Sequence, residues 1–393
     1  MYVTKPLSWY RKDPNNLSEL TVQEGPNSGY LVITDEETEA EDTYCWGTCK
    51  DTNVRKLPLP QNKIVNVIYT SGNGEHRRTE RKKVWFIPVL DQPLSANQYY
   101  VIRATGEHRG QACTCSREED MSICCFCNIV NDVKPRVLDH RDIYQQVEIF
   151  KSRRGFTAKS IAPDGFPPHF LRRKGWKVYT SSSYKCQLGE ALGLNVSLRM
   201  HLPELINFPI SNKCRAVIVG KWYCPFVFVM EGSLKDQMKN SSFYEMTLEQ
   251  TWEEIYTCEN DNTKGNVVSV SVIMQKEAIK LFGEEASKDD TGGGVGGFVW
   301  FRHVDNYEQG LKLGLSLAIV EKMKWIQQKG GWVGGGEKNV GTVEKVEEFK
   351  GGNGWKRFGC YVLVERFALR RMDGTLLLTW DYRHIHQIQS KWE

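Results

Sequence analysis

The chain has 393 residues, of which 40% are hydrophobic and 25% charged, so its composition excludes global disorder and a fibrous class. Fifty-two Lys and Arg against 48 Asp and Glu leave a net charge of only +4, which gives no support for nucleic acid or a membrane surface as a partner. A chain of this length can bury a large core and favours two domains.

The first twelve residues lack the continuous apolar core of a secretory signal, and no later stretch has the length of a membrane span. We therefore expect a soluble protein of the cytoplasm, with the nucleus as an alternative location. In that setting the 12 cysteines are better explained as reduced thiols than as disulfides.

Two short apolar runs in the first third of the chain predict neighbouring strands. They are Val84 to Leu90 and Tyr99 to Ile102, and the turn-like Asp91-Gln92-Pro93 separates them. Because both runs are continuously apolar, we expect these strands to be buried on both faces.

The middle of the chain predicts two helices and a strand. Thr247-Leu248-Glu249-Gln250 resembles a capping box, and Trp252 would lie on the apolar face of the helix that it starts. Val267 to Met274 alternates with the period of a strand. Ser316 to Lys329 has the apolar spacing of an amphipathic helix, and Gly330-Gly331 would end it.

The clearest local pattern is a C-terminal hairpin. Cys360 to Arg371 and Thr375 to Ile385 flank Asp373-Gly374, a dipeptide suited to a type I′ turn. A two-residue loop there would place these pairs opposite one another: Leu363 and His384, Arg366 and Asp381, Phe367 and Trp380, Leu369 and Leu378.

The predicted strands outnumber the predicted helices, so the sequence predicts an α+β protein with extensive antiparallel β-sheet, a few amphipathic helices and two packed units. The charged, proline-containing segment Asp132 to Asp142 is the best candidate linker. It divides the chain into an N-terminal β-rich unit, residues 1–140, and a C-terminal α+β unit, residues 141–393.

Five cysteines form the densest group of thiols and could bind a soft metal ion such as zinc. They are Cys113, Cys115, Cys124, Cys125 and Cys127. Only Cys124 and Cys127 have the C-x-x-C spacing of structural zinc sites, so buried thiols are the favoured interpretation. A zinc site of Cys124, Cys125 and Cys127 remains the alternative.

Five polar residues are candidates for a catalytic pocket that carries no familiar motif: Asp164, His169, Cys224, His384 and His386. Asp164 could act as a base, although Pro-Asp-Gly is also a common turn. Cys224 could be a reactive thiol or a buried strand end. His384 and His386, two apart on a strand, could bridge a metal ion or be hydrogen-bonded sheet histidines.

No P-loop, dinucleotide fingerprint, nucleophile elbow, zinc-protease or kinase motif is present, so those routes to catalysis and to nucleotide binding lack support. Basic clusters occur at His76 to Lys83 and Arg172 to Lys174. The first could be a nuclear address or a phosphate-contacting patch, but solvated charge beside a strand is the favoured interpretation.

Six segments together resemble one plant-specific family, catalogued as domain of unknown function 1262. They are Gly25 to Ile33, Phe86 to Leu94, Cys124 to Cys127, Ala162 to Pro168, Gly220 to Phe226 and Ser390 to Glu393. The resemblance implies a plant source and one architecture for the family. It brings no established activity, cofactor or catalytic residue.

We therefore expect a non-catalytic binding or regulatory protein without a cofactor, whose partner is a protein or a small molecule. An enzyme with an unrecognised pocket and a thiolate metal-binding protein are the two alternatives. Convergence of the five polar residues in one cleft would favour the enzyme, and stoichiometric zinc would favour the metal site.

Overall fold

The structure is a computed structural model that describes residues 1–13, 15, 25–41, 43–44, 49–72, 78–124, 127–180, 188–205, 210, 214–260, 265–289, 297–304, 312–333, 339–352 and 354–393. Of these residues, 51% are in strands and 16% in helices. The predicted extensive antiparallel sheet is confirmed, but the protein is mostly β rather than α+β. No helix within these ranges is long and apolar enough to cross a bilayer.

The strands, in chain order, are β1 Tyr2–Pro6, β2 Gly29–Ile33, β3 Thr43–Tyr44, β4 Cys49–Lys50, β5 Asn53–Val54, β6 Val65–Ser71, β7 Arg78–Pro88, β8 Gln98–Arg103, β9 Met121–Cys124, β10 Cys127–Val130, β11 Gln146–Ser152, β12 Gly155–Ser160, β13 Lys177–Thr180, β14 Gly193–Leu194, β15 Val217–Pro225, β16 Val229–Met230, β17 Phe243–Glu259, β18 Val267–Gln275, β19 Glu277–Leu281, β20 Glu284–Lys288, β21 Phe298–His303, β22 Lys312–Ser316, β23 Val340–Glu348, β24 Arg357–Arg371 and β25 Leu376–Trp392. The helices are α1 Leu7–Lys12, α2 Glu36–Glu41, α3 His169–Arg172, α4 Val196–His201, α5 Leu234–Asn240 and α6 Leu317–Lys329.

Two sheets hold most of these strands. The large sheet has twelve strands in the order β16-β22-β21-β20-β19-β25-β24-β17-β15-β1-β2, with β14 paired to β15. The small sheet has seven strands in the order β12-β11-β8-β7-β6-β13-β5. All described pairings are antiparallel except that of β1 with β2.

The small sheet is buried on both faces where β7 and β8 pair, as the apolar runs predict. Trp85 faces the large sheet, and its ring lies 5.5 Å from that of Phe243. Phe86 points the other way, with its ring 5.6 Å from that of Tyr99, into a second core beside α3. The first residues of β7, 78–83, are polar and extend beyond both cores.

The sheets divide the chain differently from the predicted units 1–140 and 141–393. The small sheet is built from residues 53–180, because β11 pairs with β8 and β13 pairs with β6. The large sheet takes β1 and β2 from the N-terminus and the rest from after residue 192. The boundary predicted at 132–142 thus lies inside the stretch that forms the small sheet.

The C-terminal hairpin has the predicted register. All four predicted pairs lie opposite one another, and Arg366 forms a bidentate ion pair with Asp381, at 2.6 and 2.7 Å. The turn differs, because Arg371 pairs with Thr375 around a three-residue loop in which Gly374 has φ +88°. A bulge before Leu378 restores the register.

The two helix predictions have opposite outcomes. The helix predicted from Ser316 is confirmed as α6, with Ser316 at its N-cap position. The helix predicted from the capping-box pattern at 247–250 is wrong, because these residues lie in β17. β17 pairs with β15 on one side and β24 on the other, and this long-range pairing overrides a local helix signal.

Candidate functional site

A cleft of about 400 Å³ opens where the small sheet meets the N-terminal strands of the large one. Helix α1 and β2 form one wall, and β5, the segment 55–63 and the end of β13 form the other. We call it the basic cleft, since its lining includes Arg11, Arg55, Lys56 and Lys63.

Positive charge in the basic cleft exceeds negative charge. Asp51 is the only carboxylate among the described lining residues. It is already engaged, because one oxygen lies 3.0 Å from Arg55 Nη2 and the other accepts the Asn53 N–H at 2.9 Å. Lys56 is exposed and has no ion pair with any described residue. The lining therefore has an excess of three positive charges.

Buried hydrogen bonds hold the segment 55–63 in place. Gln61 is fully buried, and its Oε1 accepts the Val32 N–H at 2.8 Å. The Gln61 carbonyl accepts a hydrogen bond from the Trp85 indole. Leu59 donates its N–H to the Tyr99 hydroxyl at 3.1 Å. The wall is thus fixed to both sheets, and its cations are presented on a rigid support.

A second pocket, of about 390 Å³, contains the predicted residue His169. The His169 N–H donates to both oxygens of Asp132 at 3.0 Å, and its Nδ1 lies 3.4 Å from Glu80. Both carboxylates also pair with cations, Asp132 with Arg172 and Glu80 with Lys82. Opposite charges largely offset one another here, unlike in the basic cleft.

Two thiols that the sequence analysis singled out, Cys113 and Cys224, are buried. Cys113 lines the His169 pocket, but burial raises the pKa of its thiol to about 12. Cys224 is 1% exposed at the end of β15, and burial raises its pKa to about 11. Cys224 thus lies in the core at the end of β15, where burial disfavours the thiolate that a reactive cysteine needs.

Asp164 lies in an exposed turn. Gly165 donates its N–H to the Ala162 carbonyl at 3.0 Å, which closes the turn that the Pro-Asp-Gly sequence is typical of. The Tyr144 hydroxyl donates to the Asp164 carboxylate, at 2.9 and 3.0 Å from its two oxygens. Asp164 lines neither pocket described above.

His384 belongs to a buried ion cluster, which we define as Arg199, Gln250, Gln327, Glu365 and His384. Arg199 of α4 makes a bidentate ion pair with Glu365 of β24, at 2.7 and 2.5 Å. His384 Nε2 lies 3.5 Å from Glu365 and 3.2 Å from Gln327 Oε1. Gln250 donates to Glu365 at 2.8 Å.

The cluster controls the ionisation of its carboxylate. Burial alone raises the pKa of Glu365, but hydrogen bonds from His384 and Arg199 outweigh it and lower that pKa to about 2. Arg199 also donates to the Ile326 carbonyl at 3.0 Å. The cluster thereby ties α4, α6 and the C-terminal hairpin together, which is a structural role.

His386 lies beside the cluster with its ring 5.6 Å from that of His384. Within the described ranges, no three His, Cys, Asp or Glu side chains are arranged to hold a metal ion. The backbones of Cys124 and Cys127 pair across the hairpin of β9 and β10, and Cys125 lies outside the described residues. The thiolate zinc site therefore stays a prediction.

Comparison with known proteins supports an uncharacterised domain family. The family model "Protein of unknown function (DUF1262)" matches residues 24–126. No curated protein matches the sequence. Among solved structures, the crystal structure of Cry35Ab1 is similar over 85% of this chain and 90% of its own, with a TM-score of 0.46 and 10% identity.

The matched stretch contains most of the basic cleft. Of the four cations, Arg55, Lys56 and Lys63 lie within residues 24–126, and Arg11 lies outside it. Sequence reasoning missed this site because its residues form no motif and meet only through the packing of the two sheets. The run Arg55-Lys56 beside two prolines was the one local signal available.

Proposed function

We propose that this protein is a non-catalytic binding protein of the plant cell interior and that it holds a small anionic ligand in the basic cleft. One observation carries the proposal: four cations line the cleft with a single carboxylate, and Arg55 and Asn53 already engage that carboxylate. Like charges that line one cleft raise the local positive potential, which favours the binding of an anion there.

The chemistry of the lining favours a phosphate or carboxylate ligand. A guanidinium presents a planar pair of donors that matches either group, and Arg11 and Arg55 supply two guanidinium groups. Lys56 and Lys63 add point charges. The cleft volume, about 400 Å³, suits a small molecule rather than a protein segment.

The arrangement of the other candidate residues favours binding over catalysis. His169 lies in one pocket, Asp164 in a surface turn, Cys224 in the core and His384 in the buried ion cluster. All five candidate residues lie in the described part of the chain, and among them only His384 and His386 are in contact. Sustained turnover of a substrate by the purified protein would favour the enzyme alternative instead.

Calorimetric titration with inorganic pyrophosphate and with citrate tests the proposal. We expect saturable binding of at least one probe and about tenfold weaker binding by Lys56→Met, equivalent to about 1.4 kcal/mol. The control is Lys235→Met, which removes an exposed lysine on α5 that does not line the basic cleft. Absence of saturable binding by both probes, or equal weakening by the two variants, would overturn the proposal.

A further inference from the structure

Charge is unevenly divided between the two sheets. Residues 53–180, which build the small sheet, contain 22 Lys and Arg against 12 Asp and Glu. The rest of the chain contains 30 against 36. The small overall charge of +4 therefore conceals a strongly basic region beside an acidic one, and the basic region contains most of the basic cleft.

Strand register places three of these cations, Arg81, Lys83 and Lys177, on one exposed sheet face. Two of them lie in the same row of paired residues. Lys177 of β13 pairs with Ile68 of β6, which pairs with Arg81 of β7. Directly opposed residues point to the same side of a sheet, so these three side chains form one row. Lys177 and Arg81 are exposed and have no ion pair with any described residue.

The next row on the same face leads into the basic cleft. Asn53 of β5 pairs with Tyr179, Tyr179 with Asn66, and Asn66 with Lys83. Lys83 is exposed and, like Arg81, has no described ion-pair partner. Asn53 also lines the basic cleft, so the face and the cleft form one surface. We call its sheet portion, Asn66, Arg81, Lys83, Lys177 and Tyr179, the basic face.

We propose that the anion in the basic cleft is one phosphate of a single-stranded nucleic acid, whose chain continues over the basic face. This inference rests on the proposed function, because the cleft provides the anchoring phosphate site. The four cleft cations and the three on the face then act along one strand.

The composition and spacing of the basic face fit such a strand. Successive residues on one face of a strand are about 6.6 Å apart and neighbouring strands about 4.8 Å apart. The lysines and Arg81 therefore recur at intervals that an extended phosphate backbone can follow. Tyr179, half-buried between the cations, offers a ring on which a base can stack, and Asn66 offers an amide. No carboxylate occurs in either row.

Fluorescence anisotropy with a labelled 20-nucleotide oligouridylate tests the inference on the full chain. The triple variant Arg81→Gln, Lys83→Gln, Lys177→Gln should bind the oligonucleotide at least about tenfold more weakly. Its plot of log affinity against log salt should be shallower by about 2, because each phosphate contact contributes about 0.7 to that slope. Tyr179→Leu should weaken binding without changing the slope.

The matched control removes three exposed lysines outside the small sheet: Lys235→Gln, Lys280→Gln, Lys324→Gln. It makes the same change in net charge and should leave both affinity and slope unchanged. Pyrophosphate binding, measured on the same proteins, should be equal in the wild type and in both triple variants, because the basic cleft is intact in all three.

The outcomes separate this inference from the proposed function. Pyrophosphate binding without oligonucleotide binding would overturn the nucleic-acid inference and leave the anion cleft in place. Equal losses in the two triple variants would also overturn it, since only net charge would matter. Binding to vesicles containing phosphatidylserine in preference to the oligonucleotide would assign the basic face to a membrane. Failure of both probes would overturn both proposals.

Discussion

The buried ion cluster and the basic cleft both concentrate charge, but they balance it in opposite ways. In the cluster, Arg199 donates two hydrogen bonds to Glu365, and both side chains are nearly inaccessible to solvent, 10% and 1% exposed. In the cleft, four cations line the walls with one carboxylate, and Lys56 is exposed without an ion pair to any described residue. The first arrangement pairs its opposite charges within the chain, and the second is the site at which we propose that an external anion binds.

This difference separates charge that maintains the fold from charge that is available for binding. A buried charge must be paired, because an unpaired one loses its hydration without compensation. An exposed cation keeps its hydration and costs the fold little, so it can be left for a ligand. Variants of the cluster should therefore change stability, and variants of the cleft should change affinity.

The largest expected effect is on stability, from Glu365→Gln. It leaves the Arg199 guanidinium buried without a counter-charge, so we expect the free energy of unfolding to fall by about 3–5 kcal/mol in urea denaturation. The control is Glu245→Gln, which breaks the half-exposed ion pair with Lys221 and should cost less than about 1 kcal/mol. Equal losses would show that burial does not distinguish the two pairs.

The same carboxylate should make the protein sensitive to acid. The pKa of Glu365 is about 2 in the folded chain against an ordinary value of 4.5, so its contribution to stability is complete above pH 4.5. Between pH 4.5 and pH 2 the folded protein loses about 3 kcal/mol of stabilisation from this group.

Unfolding curves of wild type and Glu365→Gln, collected from pH 7 to pH 2, check the sign of this effect. The difference between the two proteins should shrink as the pH falls, because a protonated Glu365 resembles glutamine. Other carboxylates titrate in both proteins alike and cancel in the difference. A difference that stays constant with pH would show that the pKa of Glu365 is not lowered.

Local features of the fold could be predicted from the sequence, and non-local ones could not. The four predicted pairs of the hairpin at Asp373-Gly374 are at most 21 positions apart, so the turn and the alternation of apolar residues set their register. The helix from Leu317 likewise follows from its own apolar spacing. The false helix at 247–250 has equally good local signals, but its strand partners lie elsewhere in the chain.

The same limit explains the candidate sites. Arg199 and Glu365 are 166 positions apart, and nothing in either local sequence points to the other. Arg11 and Lys63 meet only because β2 and the segment 55–63 pack together. The net charge of +4 also averages the basic residues 53–180 with an acidic remainder, so it does not reveal this uneven distribution.

A smaller loss of stability is expected from Gly330→Ala at the end of α6. A Cβ at this position would overlap the Arg199 guanidinium, which its two bonds to Glu365 hold in place. We expect a loss of about 1–3 kcal/mol, as for other overpacked sites. Gly354→Ala, which introduces a Cβ into open space, is the control and should be neutral. A neutral Gly330→Ala would mean that the cluster can shift.

The smallest stability effect is expected in the basic cleft, where Lys56→Met should change the free energy of unfolding by less than about 0.5 kcal/mol. The change should be toward greater stability, because Lys56 lies among three other cations and has no ion pair with any described residue. A bound ligand stabilises only the folded state, so pyrophosphate should raise the melting temperature of the wild type more than that of Lys56→Met. A variant that is destabilised yet responds to pyrophosphate like the wild type would place Lys56 among the fold-maintaining charges, and the contrast between the cleft and the cluster would fail.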